Sequence, residues 1–396
     1  MAKARHGNDI RILKEANRYL VLQCIMKLAP VSTDDIIQST GLSRPTVLNI
    51  LHDLMEEDVV VKDGFSAGTI GRSASLLNLN AQRPVALGID FEYPAIRMCI
   101  ANLRGEILHQ RKILCDSGLP FPDVKEFFYR SAVDFMKSSS IPTEAFCGAG
   151  IGICGTIRSK DGTSMSIERI RDWYNVPIRA DLEKLLGIPV FLRNDVHLLG
   201  LVEKRLYLPD DMQNFIYIGI RTGIGSVTYQ NGKPLRGIHG NAGFIGHTVV
   251  NAFGPRCCCG SRGCLETYAG QQAIANQYQA LTRVSVSFDE VIERANAGDA
   301  NAIMVLQDAG QIFGVSVSNL AKTLEISDVI VGSPSIHKDS PFMVSATHAV
   351  EEYSGNLGLN IHLHIGRVVE EQYPLGGCYL VFEHLFSKPK LALSLV

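Results

Sequence analysis

The chain reads Gly246-His247-Thr248 and then Cys257-Cys258-Cys259-Gly260-Ser261-Arg262-Gly263-Cys264-Leu265-Glu266. One imidazole and three thiolates are the ligands of a closed tetrahedral zinc site. Gly260 and Gly263 let the backbone turn tightly enough for thiols on either side to converge on one ion. We therefore predict a structural zinc ion, with no open coordination position, held by His247, Cys257, Cys259 and Cys264.

Other interpretations of this motif are a disulfide and a chance cluster of buried cysteines. The Cys-x-Cys spacing favours zinc, because so short a spacing suits a metal better than a disulfide framework and the chain otherwise looks intracellular. Cys258 is left out of the ligand set, since in an extended segment its side chain points away from those of its two neighbours.

Length and composition indicate a large globular protein. The chain has 396 residues, 46% of them hydrophobic, which is enough for two or three domains with sizeable cores. Its formal net charge of −2 excludes a globally basic nucleic-acid binder, although one domain can still carry a basic patch. The N-terminal residues lack the apolar core of a signal peptide, and no apolar run reaches the roughly 18 residues of a membrane span. We expect a cytoplasmic protein with reduced thiols and no membrane contact.

Residues 17–80 have the pattern of a winged helix. A first helix, whose predicted core-facing residues at helical spacing are Tyr19, Leu20, Leu22, Ile25, Met26 and Leu28, stops at Pro30. A second short helix begins near Ser32, and Gly41 makes the turn to a third helix. Ser43 is the predicted cap of that third helix, with Pro45 in its first turn. Two strand-like runs, 59–61 and 76–79, flank a glycine-rich hairpin typical of a wing.

Two helices joined by a short glycine-containing turn predict a helix-turn-helix, whose second helix enters the major groove of double-stranded DNA. Arg44 and Asn49 are chemically suited to the edges of guanine and adenine. We predict that residues 1–82 bind an operator through Ser43, Arg44, Thr46, Asn49 and, from the wing, Arg72. The alternatives are a winged helix used for protein contacts and three ordinary amphipathic helices.

From Val85 onward, strand pairs followed by helices occur twice, which indicates an α/β protein with two mixed lobes. We predict a first lobe at 83–200, closed by the C-terminal segment 377–396. A second lobe at 201–376 would carry the zinc site. A cleft between two lobes is the usual place for a small ligand.

The chain resembles the ROK family (repressors, open reading frames and kinases) from about residue 17 to residue 385. The motifs that carry the likeness are the helix start Leu42-Ser43-Arg44, Gly71-Arg72, Asn194-Asp195, Thr222-Gly223-Ile224-Gly225, Gly243-Phe244-Ile245-Gly246-His247 and the Cys-x-Cys-Gly-x-x-Gly-Cys-Leu-Glu run. The resemblance implies a two-lobed, actin- or hexokinase-like fold. With a winged helix in front, it implies one of the family's sugar-responsive transcriptional regulators.

The resemblance also implies a sugar site made of Asn194, Asp195, His247 and Glu266. Such side chains donate to and accept from vicinal hydroxyls in pairs. On the simpler interpretation, Asn194-Asp195 is a strand-end turn that caps the next helix, and Glu266 is a first-turn helix acid. One position departs from the family motif, because Phe244 stands where a glutamate is usual. An aromatic ring stacks on a sugar but accepts no conventional hydrogen bond, so we expect altered recognition or no sugar effector at all.

Kinase members of the family use the first hairpin as a phosphate loop, Asp-x-Gly-Gly-Thr, and here that hairpin reads Asp90-Phe91-Glu92-Tyr93-Pro94-Ala95. Glu92 would repel phosphate, Tyr93 would crowd it and Pro94 removes an N–H donor. A second loop has Arg221 in place of a glycine. We therefore predict a degenerate ATP site and no catalytic residues.

The main hypothesis is a DNA-binding transcriptional regulator, a repressor that forms a homodimer or homotetramer and senses a carbohydrate. The first alternative is a ROK-type sugar kinase with an accessory winged helix. The second is a regulator governed by a partner protein instead of a sugar.

Overall fold

The computed structural model describes residues 2–65, 75–116, 118–355 and 358–387. The predicted wing residues Gly71 and Arg72 lie outside the described residues, as does the part of the predicted C-terminal segment 377–396 that follows residue 387.

Three helices form the core of the N-terminal head: α1 (Ala2–Leu28), α2 (Thr33–Thr40) and α3 (Arg44–Glu56). Ser32 and Asp35 form a reciprocal capping box at the start of α2, and Gly41 ends that helix in the left-handed conformation, with φ 67°. The Ser43 side chain caps α3, and Pro45 lies in its first turn. The cap, turn and proline signals in the sequence therefore mark the helix boundaries correctly.

A small antiparallel sheet completes the head. It consists of β1 (Val31–Ser32), β2 (Val60–Phe65) and β3 (Ser75–Leu79), in the order β1-β3-β2. Buried side chains of all three helices pack beneath it, namely Val21, Leu22, Ile25, Ile36, Val47, Ile50, Leu51 and Leu54. Tyr19 and Leu20, expected to face the core from α1, are exposed instead, because the buried face of that helix passes through Val21, Leu22 and Ile25.

The first lobe is built on a five-stranded mixed sheet with the order β11-β7-β4-β5-β6. Its strands are β4 (Val85–Glu92), β5 (Ala95–Asn102), β6 (Ile107–Leu114), β7 (Phe146–Ile153) and β11 (Val190–Asn194). A separate three-stranded sheet contains β8 (Thr156–Arg158), β9 (Thr163–Ser166) and β10 (Tyr174–Val176). The helices of this region are α4 (Phe121–Ser138), α5 (Ile178–Leu186) and α6 (Asp195–Leu206).

The second lobe repeats the arrangement with a five-stranded sheet in the order β14-β13-β12-β15-β16. Its strands are β12 (Phe215–Ile220), β13 (Ile224–Gln230), β14 (Lys233–Pro234), β15 (Asp328–Gly332) and β16 (His362–Ile365). Its helices are α7 (Glu266–Ala269), α8 (Gln271–Thr282), α9 (Phe288–Asn296), α10 (Ala300–Leu324) and α11 (Pro341–Ser354). In the first sheet β4 is antiparallel to β5 and parallel to β7, and in the second sheet β12 is antiparallel to β13 and parallel to β15. The two antiparallel pairs are the strand pairs that the sequence predicts.

The last helix, α12 (Leu375–Ser387), returns to the first lobe and packs on β7 and β4. Glycines permit this close approach: a Cβ atom on Gly150 would lie 2.0 Å from the Gly377 carbonyl oxygen. Backbone can contact backbone here only because neither residue has a side chain.

The head is attached to the first lobe by hydrogen bonds as well as by a continuous apolar core. Asn102 donates to the Ala81 carbonyl at 2.8 Å, and Arg104 donates to the Leu79 carbonyl at 3.0 Å. On the other side, Lys27 of α1 forms an ion pair of 2.7 Å with Asp210, in the loop that leads into the second lobe. The head therefore contacts both lobes. Among the described residues, no helix is both long and apolar enough to cross a bilayer.

Candidate functional site

A cleft of about 400 Å³ lies where the ends of the two large sheets face each other. Both lobes contribute to its wall. Polar and aromatic side chains dominate the lining, which includes Glu92, Asn194, Asp195, Arg221, Phe244, His247, Cys258 and Glu266. The four residues predicted to bind sugar, from three distant parts of the chain, thus line one cleft.

Asn194 and Asp195 lie where β11 ends and α6 begins. The Asn194 side chain accepts a hydrogen bond of 3.1 Å from the Val196 N–H, so it caps α6. Asp195 is the first residue of that helix and is buried, with 5% exposure. Asn194 serves as a helix cap and also lines the cleft, so the simpler interpretation of this residue holds without removing it from the candidate site.

Glu266 begins α7 and reaches across to the loop after β12. Its Oε2 accepts a hydrogen bond of 3.0 Å from the Ile224 N–H, while its Oε1 lies 3.6 Å from the Cys258 sulfur. A Cβ atom on Gly223 would lie 2.6 Å from that carboxylate, which explains a glycine at this position. Glu266 is thus held in place by the loop that closes the cleft.

Arg221 carries the most densely paired charge in the cleft. Its Nη1 donates to Asp90 Oδ1 at 3.0 Å and to Asp195 Oδ2 at 3.1 Å, and its Nη2 donates to Asp90 Oδ2 at 2.8 Å. Nη2 also donates to Glu92. All four side chains are buried, with at most 6% exposure.

These contacts join the two lobes. Asp90 and Glu92 belong to β4 of the first lobe, whereas Arg221 directly follows β12 of the second. Thr222 adds to the junction, because its N–H and its hydroxyl both donate to Glu92 Oε1, at 3.1 and 2.9 Å. The Arg221 guanidinium also lies 4.6 Å from the centre of the Tyr373 ring, a cation–π contact.

A second arginine offsets part of the remaining negative charge. Arg97 of β5 donates to Asp90 at 3.0 Å, and it forms an ion pair of 2.6 Å with Glu370. Burial disfavours the charge of Arg221, but Asp90 and Glu92 hold its pKa well above the ordinary value. Burial raises the pKa of Asp195 to about 6, although Arg221 opposes that shift. A proton and the Arg221 guanidinium therefore compete for the Asp195 carboxylate near pH 6.

In the sequence, Glu92 and Arg221 are two separate departures from a phosphate-binding pattern. The structure shows that they pair with each other. A signal was present in the sequence, since an acidic and a basic residue replace glycines in two loops of the same cleft. Only the fold shows that the two replacements are related, because it brings the two side chains into contact.

The predicted metal ligands converge at one end of the cleft. The ligand atoms of His247, Cys257, Cys259 and Cys264 all lie within 4.8 Å of one another. Cys257 Sγ is 3.5 Å from His247 Nδ1, and Cys259 Sγ is 3.7 Å from Cys264 Sγ. A disulfide requires sulfurs at roughly 2.0 Å, so these thiols are free. The distances fit the edges of a tetrahedron around one metal ion, and the chemistry of the donor set suits zinc.

The backbone of the cysteine loop brings the ligands together. Gly260 and Gly263 both have positive φ angles, 92° and 67°. The Cys257 N–H donates to the Ser261 carbonyl at 2.8 Å, which closes a tight turn between the two halves of the motif. The predicted role of the two glycines as turn residues is therefore consistent with the backbone observed.

The predicted DNA contacts are grouped on the exposed side of α3. Arg44 and Asn49 are exposed, and Arg44 forms an ion pair of 2.7 Å with Asp34 of α2. Ser43 and Thr46 contact each other through their hydroxyls at 2.8 Å. Arg72 lies outside the described residues, so its predicted contact stays a prediction.

Residues 86–356 match the model of the ROK family. The chain belongs to the ROK family. An IclR helix-turn-helix domain model matches residues 20–64. The family and the fold class predicted from the sequence, a winged helix-turn-helix before a two-lobed ROK domain, are thereby confirmed.

The chain is similar to individual proteins over different fractions of its length. The chain is 25% identical to a xylose repressor of Caldicellulosiruptor bescii over 96% of this chain and 99% of that protein. It is 29% identical to a glucokinase of Halalkalibacterium halodurans, but over 62% of this chain and 79% of the enzyme. A crystal structure of a ROK family transcriptional regulator, described as a homologue of E. coli MLC protein, has the same fold, with a TM-score of 0.80 at 24% identity. It covers 94% of this chain and 97% of that one.

We expect Arg221→Ala to destabilise the ROK domain by about 3–5 kcal/mol, because three buried carboxylates would lose their common partner. Urea unfolding followed by fluorescence measures the change in free energy. Arg171→Ala is the matched control, since that side chain is 96% exposed, and it should change stability by less than about 0.5 kcal/mol. Equal effects of the two substitutions would show that the cluster does not hold the lobes together.

Proposed function

We propose that this protein is a sugar-responsive DNA-binding transcriptional regulator, a repressor of carbohydrate-metabolism genes. The observation that carries the proposal is a helix-turn-helix head joined to a ROK domain in which a buried arginine of the cleft pairs with three carboxylates. The xylose repressor matches over nearly the full length of both chains, head included, whereas the glucokinase matches over only part of each. A kinase needs no such head.

DNA binding is assigned to α3. Its apolar stripe faces the core of the head, which leaves Arg44 and Asn49 toward solvent. The ion pair between Arg44 and Asp34 is exposed and hence weak, so a DNA base edge can replace it at little cost. We propose that Ser43, Arg44, Thr46 and Asn49, together with Arg72 of the wing, contact the operator. Two heads are needed for two half-sites, which supports a homodimer or homotetramer.

The ATP site is proposed to be degenerate. Phosphoryl transfer needs room and positive charge for the nucleotide phosphates, and a base to accept the sugar proton. Here Glu92 is buried within the first hairpin. Asp195, which has the position of that base by family resemblance, accepts a hydrogen bond from Arg221. Pro94 offers no N–H to a phosphate. We propose that Arg221 takes the place of the phosphate-binding backbone and leaves no nucleotide site.

A carbohydrate effector is proposed to bind in the same cleft, through Asn194, Asp195, His247 and Glu266. Phe244, 42% exposed at the cleft, offers a ring face for stacking where other family members have a glutamate. An effector bound at this place contacts both lobes. Any difference in its affinity for two lobe arrangements then shifts the position of the head, which itself contacts both lobes.

Zinc is proposed to be structural. His247, Cys257, Cys259 and Cys264 would supply four protein ligands, so the ion would cross-link the cysteine loop and perform no chemistry. Because His247 also lines the cleft, the ion would fix one of the proposed effector contacts in its orientation.

For the DNA-binding head, we expect Arg44→Ala to weaken specific binding by about 1–3 kcal/mol, with a smaller loss of non-specific binding. Genomic fragments captured by the purified protein serve as the specific DNA, and mobility shifts give both affinities. Arg130→Ala, an exposed arginine on α4, is the control and should leave both unchanged. If the specific and non-specific affinities fall equally, Arg44 contacts phosphate only.

For the effector, a thermal-shift screen against a panel of sugars should find one that raises the melting temperature, since a ligand selective for the native state stabilises it. Asp195→Asn should abolish that shift, while exposed Asp172→Asn should preserve it. An ionised Asp195 accepts hydrogen bonds from sugar hydroxyls, so effector affinity should be retained above about pH 6 and fall as the pH drops through that value.

With every sugar, coupled ADP production should stay at background. Sustained sugar-dependent turnover would support the kinase instead.

For zinc, we expect one tightly held equivalent per chain in protein purified without added metal. The double substitution of Cys257 and Cys264 by serine should remove it, and Cys154→Ser should not. Elemental analysis after gel filtration measures the metal content. Full metal retention in the double variant would show that the ligands lie elsewhere.

A further inference from the structure

Cys258 lies between two proposed zinc ligands but faces a different direction. Its side chain is exposed and lines the cleft, as expected for a residue that points away from the closed site. The same orientation brings its sulfur to 3.9 Å from Cys257 Sγ and 3.6 Å from Glu266 Oε1. Two soft donors and one carboxylate thus converge beside the cleft wall, and two of these three residues, Cys258 and Glu266, lie outside the set of four ligands proposed for zinc.

The spacing of these three atoms matches a metal coordination sphere. The ligand atoms of Cys257, Cys258 and Glu266 all lie within 4.8 Å of one another. With zinc–sulfur and zinc–oxygen bonds of about 2.3 and 2.0 Å, the edges of a tetrahedron measure about 3.8 Å between sulfurs and about 3.5 Å between sulfur and oxygen. The observed separations of 3.9 and 3.6 Å are close to both values.

Glu266 has an oxygen available for such an ion. Its Oε2 accepts the hydrogen bond from the Ile224 N–H, which orients the carboxylate. Its Oε1 is the atom that the Cys258 thiol approaches. A ligand carboxylate that is hydrogen-bonded through its other oxygen is a common feature of metal sites. Cys257 in turn belongs to both sets, and a thiolate sulfur retains lone pairs for a second ion.

We propose that Cys257, Cys258 and Glu266 form a second, open site for a thiophilic divalent cation of the zinc or cadmium class. Two thiolates and one carboxylate carry three negative charges toward the dication, and soft sulfur donors select against magnesium and calcium. The Cys258 thiol loses its proton to solvent when the ion binds. Three protein ligands leave one coordination position open.

The open position faces the cleft, because Cys258 and Glu266 both line it. An ion there offers a binding point for an oxygen of a cleft ligand, and it withdraws Glu266 Oε1 from direct contact with that ligand. The link to an effector rests on the proposed function, whereas the binding of the ion itself does not.

The test is a count of ions per chain. Full-length protein is dialysed against micromolar cadmium and gel-filtered, and zinc plus cadmium are quantified by elemental analysis. The wild type should gain one ion per chain over the protein before dialysis, with added thiolate-to-cadmium ultraviolet absorption. Cys258→Ser should lose that gain, and Glu266→Gln should reduce it. Cys154→Ser, which removes a cleft thiol outside both ligand sets, should gain as the wild type does.

Other outcomes would overturn the proposal. A wild type that gains no ion has no second site, and a Cys258→Ser variant that still gains one binds it elsewhere. Circular dichroism and DNA binding of each variant show whether it is folded. A protein that holds no zinc before dialysis would count against the structural zinc alone. The evidence for the second site is the ion that the wild type gains on dialysis and Cys258→Ser does not.

Discussion

The arrangement of the two lobes depends on the buried guanidinium of Arg221. Burying a charge is costly unless partners match it, and here Asp90, Glu92 and Asp195 surround one arginine. Those carboxylates come from strand β4 and from the first turn of helix α6, while the arginine comes from the far lobe. The charge of the arginine meets its three carboxylates only when both lobes are in place, so it makes one relative position of the lobes preferable to others. In the proposed function, the same contacts take the place of a phosphate site and so exclude a nucleotide.

The cleft and the cysteine loop share one wall. His247 and Glu266 flank the cysteine motif in sequence, and both reach the cleft. A metal ion in the closed site would therefore stiffen the side chains that a cleft ligand meets. Glu266 is in contact with the loop after β12 through Ile224, and that loop begins with Arg221 and Thr222. The proposed ligand contacts, the proposed metal ligands and the junction between the lobes thus form one connected network.

Much of the fold was predictable from local signals. Capping residues, Gly41 and Pro45 marked the helices of the head, and alternating strand pairs and helices marked two α/β lobes. These signals are local because a cap or a turn depends on residues a few positions apart. The exposure of Tyr19 was not predictable in this way, since helical spacing alone does not say which of two neighbouring faces meets the core.

The sequence by itself determined the family, and it predicted the cysteine and histidine ligand set and the degenerate phosphate loop, since each depends on residue types at short and regular spacing. The tertiary structure alone decided that Arg221 neutralises Glu92, residues that lie far apart in the chain, and that Cys258 approaches Glu266. Ion pairs and ligand sets of that kind depend on the packing of separate elements. No spacing along the chain encodes such a distance.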